Sequence, residues 1–307
     1  MNCFFCMLKI SIKPVIFLLL ACMVMPANAD NIRYIQILLS SQAGPYESFA
    51  LSLKSRIQSD NADTEISIST LDNQEDTDKN TVIIPVGYPA AKYIAGQKST
   101  NPIIYTLISE ESYKKLTDKS QDNHTAIYIN QSWKRQFSSI KYITPSLGKI
   151  AILYSKNTKH LLPQIQESAK QASVKIKFYN VNDSDNIIKV VNEALHGNDA
   201  LLAIPDHTIF NKNTAKNILY ASYKLKKPLI AYSKNYVKAG ALLSVYSTLD
   251  NYAQQAAEIV NKTISGTSIT LPGADYPRYF EIEINESVAK SLDIKHTNPI
   301  KQKELIH

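Results

Sequence analysis

Glycine is scarce, with eight residues in 307, where ordinary usage is about 7%. Neither GxGxxG nor GxxxxGKS/T can be written from them, which excludes the common phosphate-cradling loops. Cysteine occurs three times, at Cys3, Cys6 and Cys22, and tryptophan once. There is no HExxH and no GxSxG. The six histidines never fall at i, i+3 or i, i+4, so neither a helical zinc site nor a nucleophile elbow is encoded. No paired-carboxylate motif marks a glycosidase. The only long apolar run, from Val15 to Met25, is shorter than the roughly 20 residues a membrane-spanning helix needs.

That run is informative in another way. Lys9 and Lys13 precede it, and Pro26-Ala27-Asn28-Ala29 follows it. A basic start, a short apolar centre and an A-x-A ending form a secretory signal peptide, with cleavage expected after Ala29. Every cysteine then leaves with the leader, excluding disulfides, thiolate catalysis and cysteine metal sites in the exported protein. Loss of Lys9 and Lys13 lowers the formal charge from +7 to +5. The alternative is a lipobox at Leu19-Leu20-Ala21-Cys22, which would anchor the protein through Cys22. Either route places it in the periplasm, free or tethered.

The rest reads as alternating strands and helices. Tyr34–Leu39, Glu65–Leu71, Thr81–Val86, Pro102–Leu107 and Thr125–Ile129 are strand-like. Between them, apolar residues recur at helical spacing, as in Phe49, Leu53 and Ile57. After Pro145-Ser146-Leu147-Gly148 the series restarts with Lys149–Tyr154, a helix over Leu161–Ala172, Val174–Tyr179, a helix over Asn186–His196, Ala200–Ile204, a helix over Ile209–Leu225, Pro228–Tyr232 and Gly240–Tyr246. A long helix, Leu249–Ser265, and a strand, Phe280–Ile284, follow, and Asn285 caps a last helix. Such alternation predicts parallel sheets built from βαβ units. The expectation is an α/β protein of two similar three-layer α/β/α lobes with mainly parallel sheets, joined by hinge crossovers. The N-terminal lobe spans 30–146, completed by about 248–266. The C-terminal lobe spans 147–247, completed by about 276–296. The tail 297–307 is polar.

Ligands of open α/β sheets bind beyond the carboxyl ends of the strands. In the first lobe this picks out Ser40, Ser41, Tyr46, Gly87, Tyr88, Ala90 and Thr106. In the second it picks out Asp206, His207, Thr208, Tyr232 and Tyr246. Hydroxyls and helix N-termini suit a carboxylate or phosphate, and tyrosines offer stacking faces. No metal, cofactor or nucleic acid is expected. The lysines, such as Lys212, Lys216 and Lys224, read as a solvated surface.

The second half carries a family resemblance. Asp199-Ala200-Leu201-Leu202-Ala203-Ile204-Pro205-Asp206-His207-Thr208 resembles the "DAL…PxDxT" segment of bacterial ABC-transporter substrate-binding proteins with the type I periplasmic-binding-protein fold. Lys227-Pro228-Leu229-Ile230-Ala231-Tyr232-Ser233 is similar to their "KxPvfa" strand, and Tyr236-Val237-Lys238-Ala239-Gly240-Ala241-Leu242 to their "YVKAGAL" segment. Pro85-Val86-Gly87-Tyr88-Pro89-Ala90-Ala91 resembles their "GtpAA" turn, and Trp133…Gln136-Phe137 their lobe-crossing helix. The chain departs from the pattern at Ser233-Lys234-Asn235, where such proteins often carry an acid. The resemblance implies a non-enzymatic, monomeric protein that captures a small molecule between two lobes and delivers it to an ABC permease. Relatives of this type take aromatic or other amino acids. The resemblance also implies that Asp206 would hold the ligand's ammonium, with Ser40–Ser41 and Gly87–Ala90 at its carboxylate. Crossovers are expected near Ser146–Gly148, near Tyr246–Thr248 and between Gly266 and Tyr279. The alternative is an exported sensor of the same fold that signals to a membrane partner.

Overall fold

The structure is a computed structural model, and it describes residues 34–73, 80–117, 122–182, 186–265 and 271–298. The leader, with Cys3, Cys6 and Cys22, lies outside the described residues.

In the first lobe, strands β1 (Tyr34–Leu39), β2 (Glu65–Thr70), β3 (Thr81–Val86), β4 (Ile103–Ile108) and β5 (His124–Tyr128) form a parallel sheet. The order is β2-β1-β3-β4-β5. β3 and β4 are buried at every position, as strands covered on both faces must be, which explains their unbroken runs of branched apolar residues. Helix α1 (Pro45–Asp60) packs one face of this sheet through Phe49, Leu53 and Ile57. Helices α2 (Tyr88–Gln97) and α3 (Glu110–Leu116) cover the other through Ala90, Ala91, Ile94 and Tyr113.

The second lobe repeats the plan. Strands β6 (Lys149–Tyr154), β7 (Lys175–Asn180), β8 (Ala200–Leu202), β9 (Leu229–Ala231) and β10 (Leu243–Tyr246) are parallel, and β11 (Glu281–Ile284) adds antiparallel to β10. The order β7-β6-β8-β9-β10-β11 is that of the first sheet with one strand appended. Helices α4 (Trp133–Ile143), α5 (Leu162–Gln171) and α10 (Glu286–Ser291) lie on one face, and α6 (Ile187–His196) and α7 (Ala215–Lys224) on the other. Asn285 caps α10 as expected, its Oδ1 accepting from the Val288 N–H at 3.1 Å.

Two expectations are corrected. The helix expected over Ile209–Leu225 begins only at Ala215. Side chains of Asn211 and Thr214 hold the preceding stretch in turns, since the Asn213 N–H donates to Asn211 Oδ1 (2.9 Å) and Thr214 Oγ1 donates to the Ile209 carbonyl (2.6 Å). Such local bonds compete with helix. A further helix, α8 (Lys234–Ala239), occupies the connection expected between two strands, and Gly240 at φ 119° ends it, a conformation suited to glycine. The strand after it shortens accordingly to β10.

The chain passes between the lobes three times. Phe137, Ile140 and Ile143 of α4 belong to the second-lobe core. The first crossing therefore lies at 129–132, upstream of the expected Ser146–Gly148, because the apolar face of α4 is buried against second-lobe strands. The second crossing, at 247–248, leads from β10 into α9 (Leu249–Ser265), which returns to pack on α1 through Tyr252, Ala256 and Val260. The third follows Asp275, which bridges to Ile127 beside β5, and leads through 276–280 into β11.

Candidate ligand-binding site

A sheet ordered 2-1-3-4-5 reverses direction between its first and third strands, and a crevice opens there at the carboxyl ends. Both lobes have this crevice. In the first it lies between the ends of β1 and β3, at Ser40 and Gly87. In the second it lies between the ends of β6 and β8, at Ser155 and Asp206.

At Ser40 the backbone N–H donates to the Val86 carbonyl (3.1 Å) and Oγ donates to the same oxygen (2.7 Å). Oγ also accepts from the Ala90 N–H (3.1 Å). Ser40 therefore ties β1 to the start of α2, and both its hydroxyl functions are occupied within the lobe. Gly87 sits at φ 86°, ψ 169°, a region that essentially only glycine enters. A Cβ there would lie 2.8 Å from Ser40 Oγ and 2.9 Å from Tyr46 Oη. Thr106 is buried and donates to the Pro85 carbonyl at 3.2 Å. Leu107 has φ 53° at the irregularity between Thr106 and Ile108, which turns the end of β4. Ala90 is buried, Tyr46 half-buried, and Ser41 and Tyr88 are exposed.

In the second lobe Asp206 is 1% exposed. Its Oδ2 accepts from Ser155 Oγ (2.7 Å), Thr158 Oγ1 (2.7 Å) and the Ser155 N–H (3.2 Å), and its Oδ1 from the Thr208 N–H (3.0 Å). Burial opposes its ionisation, but the bonds from Thr158, Ser155 and the Thr208 N–H outweigh burial and hold the carboxyl below the usual aspartate range. All four bonds are internal to the lobe. The carboxylate pins the β6 and β8 ends together. Thr208 Oγ1 accepts from Asn157 Nδ2 (2.9 Å), and His207 is exposed.

Tyr232 is half-buried and meets Tyr236 edge-on, with ring centroids 5.3 Å apart. Burial raises its phenol pKa first, and Tyr236 and Asp206 add to the shift. Tyr246 ends β10 and donates to Glu283 Oε2 (2.9 Å), which Lys234 Nζ approaches at 3.6 Å. Its hydroxyl thus belongs to the β10–β11 pair.

The carboxyl ends of the two sheets face one another. Glu111 of α3, just beyond β4, meets His160 at 2.8 Å, in the 3-10 turn Lys159–Leu161 just beyond β6. Beside it, Tyr276 donates to Glu110 and accepts from Gln164 Nε2. The crevices of both lobes therefore open toward a shared cleft.

A polar cluster without a signature in the sequence joins the three crossings. Gln131 Nε2 donates to Ser247 Oγ (2.7 Å), and Ser247 Oγ donates to the Tyr279 carbonyl (2.6 Å). Arg135, 7% exposed, donates to Gln131 Oε1 (2.6 Å) and the Pro277 carbonyl (2.7 Å), and its guanidinium lies 4.2 Å from the Phe280 ring centroid. Burial lowers its pKa. Arg135→Met keeps the length of the side chain but removes these bonds. It is expected to lower unfolding stability by about 2 kcal/mol, since bonds to charged groups contribute roughly 1.5–3 kcal/mol. Urea unfolding followed by circular dichroism measures this, and an unchanged midpoint would remove the cluster from that role.

Among the described residues no group of three or more His, Cys, Asp or Glu side chains is placed to hold a metal, and no helix is long and apolar enough to cross a membrane.

Comparison with known proteins supplies the wider setting. Among curated proteins none matches the sequence. Several solved structures share the fold. A ligand-free, open substrate-binding protein with adhesive properties from Clostridium difficile has a TM-score of 0.71 at 15% identity, covering 87% of this chain and 97% of that one. An ABC domain in complex with L-Trp from Streptococcus pneumonia has a TM-score of 0.59 at 18% identity, covering 87% and 98%. A conserved domain protein from Vibrio cholerae has a TM-score of 0.59 at 17% identity, covering 88% and 97%. These likenesses establish two lobes of the type I periplasmic-binding fold. The family model for ABC transporter substrate binding proteins matches residues 49–304. With that match over most of its length, the chain belongs to the ABC transporter substrate-binding protein family.

Proposed function

We propose that this protein captures an amino acid with an aromatic side chain between its lobes, in the periplasm, and delivers it to an ABC permease. The reading is carried by the placement of Ser40/Gly87 and Ser155/Asp206 at the switch points of the two sheets, where ligands of such sheets bind, with Glu111 and His160, just beyond the strand carboxyl ends, meeting across the lobes. Closure would proceed by rotation at the three crossings, and each bound molecule would hold the lobes together. The family is one of solute-binding proteins, and the site is read as binding without catalysis.

The chemistry around the cleft narrows the contacts. Ser40 and Asp206 are committed within their lobes, so they shape the crevices. Contact with the ligand falls to Ser41, Tyr88, His207, Thr208 and Tyr232, which retain exposure. These are polar and aromatic groups with no carboxylate, lysine or arginine among them. They suit a molecule with a flat apolar body and few charges, and stacked or edge-on aromatic pairs add about 0.5–1.5 kcal/mol each. A structure of the same fold holds L-Trp, in line with this class.

A thermal-shift screen of the twenty amino acids tests the proposal. A ligand at 100 times its Kd adds about 2.7 kcal/mol to the folded state. Aromatic amino acids are expected to raise Tm and acidic ones to leave it unchanged. A flat response to every amino acid would discard the ligand class while leaving the family untouched.

A further inference from the structure

We infer that the outer face of the second lobe, centred on α7, docks on an anionic lipid bilayer. The stretch from His207 to Leu249 holds seven lysines and no carboxylate. On α7, Lys216, Tyr220, Tyr223 and Lys224 stand at i, i+4, i+7 and i+8, sharing one face of roughly 100°. All four are exposed, Tyr220 at 67% and Tyr223 at 59%. Lys212 and Lys226, just outside the helix ends, are exposed as well. Among the described residues no salt bridge reaches any of these four lysines, whereas nearby Lys227 is 4.0 Å from Asp199. The adjoining α6 adds one lysine and one glutamate, Lys189 and Glu193, so it does not cancel the excess.

Two large tyrosines this exposed are not explained by the core, because α7 buries Ile218 and Ala221 on its opposite side. Tyr220 and Lys224 line a shallow groove against α6, together with Ile188, Asn192 and His196, and Tyr223 stands exposed beside them on the same helix face. Lysines around tyrosines match the chemistry of a headgroup layer. Tyrosine rings sit at the interface with their hydroxyls toward water, and each lysine near an anionic leaflet is attracted to it. An acidic protein would equally attract the lysines, but the paired exposed tyrosines favour the bilayer. The face lies on helices away from the strand ends that form the cleft, so docking would leave the cleft open to ligand.

Co-sedimentation of the full chain with lipid vesicles tests this. Phosphatidylcholine vesicles are compared with vesicles containing about a third phosphatidylglycerol, so that any contribution of the N-terminal apolar run appears in both. Binding is expected to be at least about tenfold stronger to the anionic vesicles, and to fall as salt shortens the screening length. K216E/K224E should reduce it about tenfold, and Y220S/Y223S should reduce it while keeping the salt dependence. The charge-matched K92E/K134E, placed elsewhere, should leave it unchanged. All variants alter exposed side chains, and an unchanged Tm confirms that each is folded. Equal binding to neutral and anionic vesicles would overturn the proposal, as would binding insensitive to K216E/K224E. Polyglutamate capturing the chain as strongly as the vesicles, through the same lysines, would replace the bilayer with an acidic protein partner.

Discussion

Asp206→Ala is expected to lower stability by about 3–4 kcal/mol, because it orphans two hydroxyl and two backbone donors in a buried crevice. For a chain of this size that corresponds to a fall in Tm of about 5–7 °C. Asp206→Asn should cost less, since its amide oxygen retains some of these bonds, but its NH2 would face donors. The pH dependence follows from linkage. The folded-state pKa of Asp206 is depressed, so its contribution is fully present above the ordinary aspartate value of about 3.9. It is lost as pH falls through the folded value. The stability gap between the parent and Asp206→Asn should therefore be constant near neutrality and shrink in acid. Urea unfolding at several pH values measures it, and a gap that widens in acid would refute the ionised carboxylate as the organising group. Ligand affinity gives a second readout. A positioning residue weakens binding through the displaced Ser155 and Thr208 loops, so Ser155→Ala should weaken binding in the same direction.

The second large effect is expected at Gly87. Alanine there must adopt a backbone conformation costing about 1–3 kcal/mol, and its Cβ would also press on Ser40 Oγ and the Tyr46 ring. The serine hydroxyl cannot retreat easily, because it is bonded to both Val86 and Ala90. Gly87→Ala is thus expected to destabilise by about 2–4 kcal/mol and to abolish the thermal shift given by ligand. Gly96→Ala, in exposed helix with nothing within 4 Å of the new Cβ, should be neutral or stabilise by up to about 1 kcal/mol. Tyr46→Ala in the Gly87→Ala background should recover only part of the loss, since the backbone strain persists. Full recovery would show that crowding alone, without strain, sets the requirement for glycine.

Much of the fold is legible in the sequence because buried parallel strands must be apolar throughout. Thr81–Val86 and Lys149–Tyr154 show their observed bounds as apolar runs, and α9 likewise through its amphipathic period and polar flanks. Local hydrogen bonding hides other elements. The Asn211 and Thr214 side chains shorten α7, and α8 is too short to show a helical period.

The candidate site is legible as a place more than as a set of contacts. Strand ends point to Ser40, Gly87 and Asp206 because topology puts ligands there. Sequence proximity cannot say which way a carboxylate faces, and Asp206 turns inward because Ser155 and Thr158, 51 and 48 positions away, supply donors that only folding brings near. The same holds for Gln131, Arg135, Ser247 and Tyr279, which lie on separate crossings and meet only when both lobes are formed. The sequence alone determined the alternation of elements, the glycine at Gly87 and the carboxylate-free stretch after Asp206. Tertiary structure decided which polar groups remain for a ligand and which face of α7 is exposed, because burial and hydrogen-bond partners depend on distances through space that the chain order does not contain.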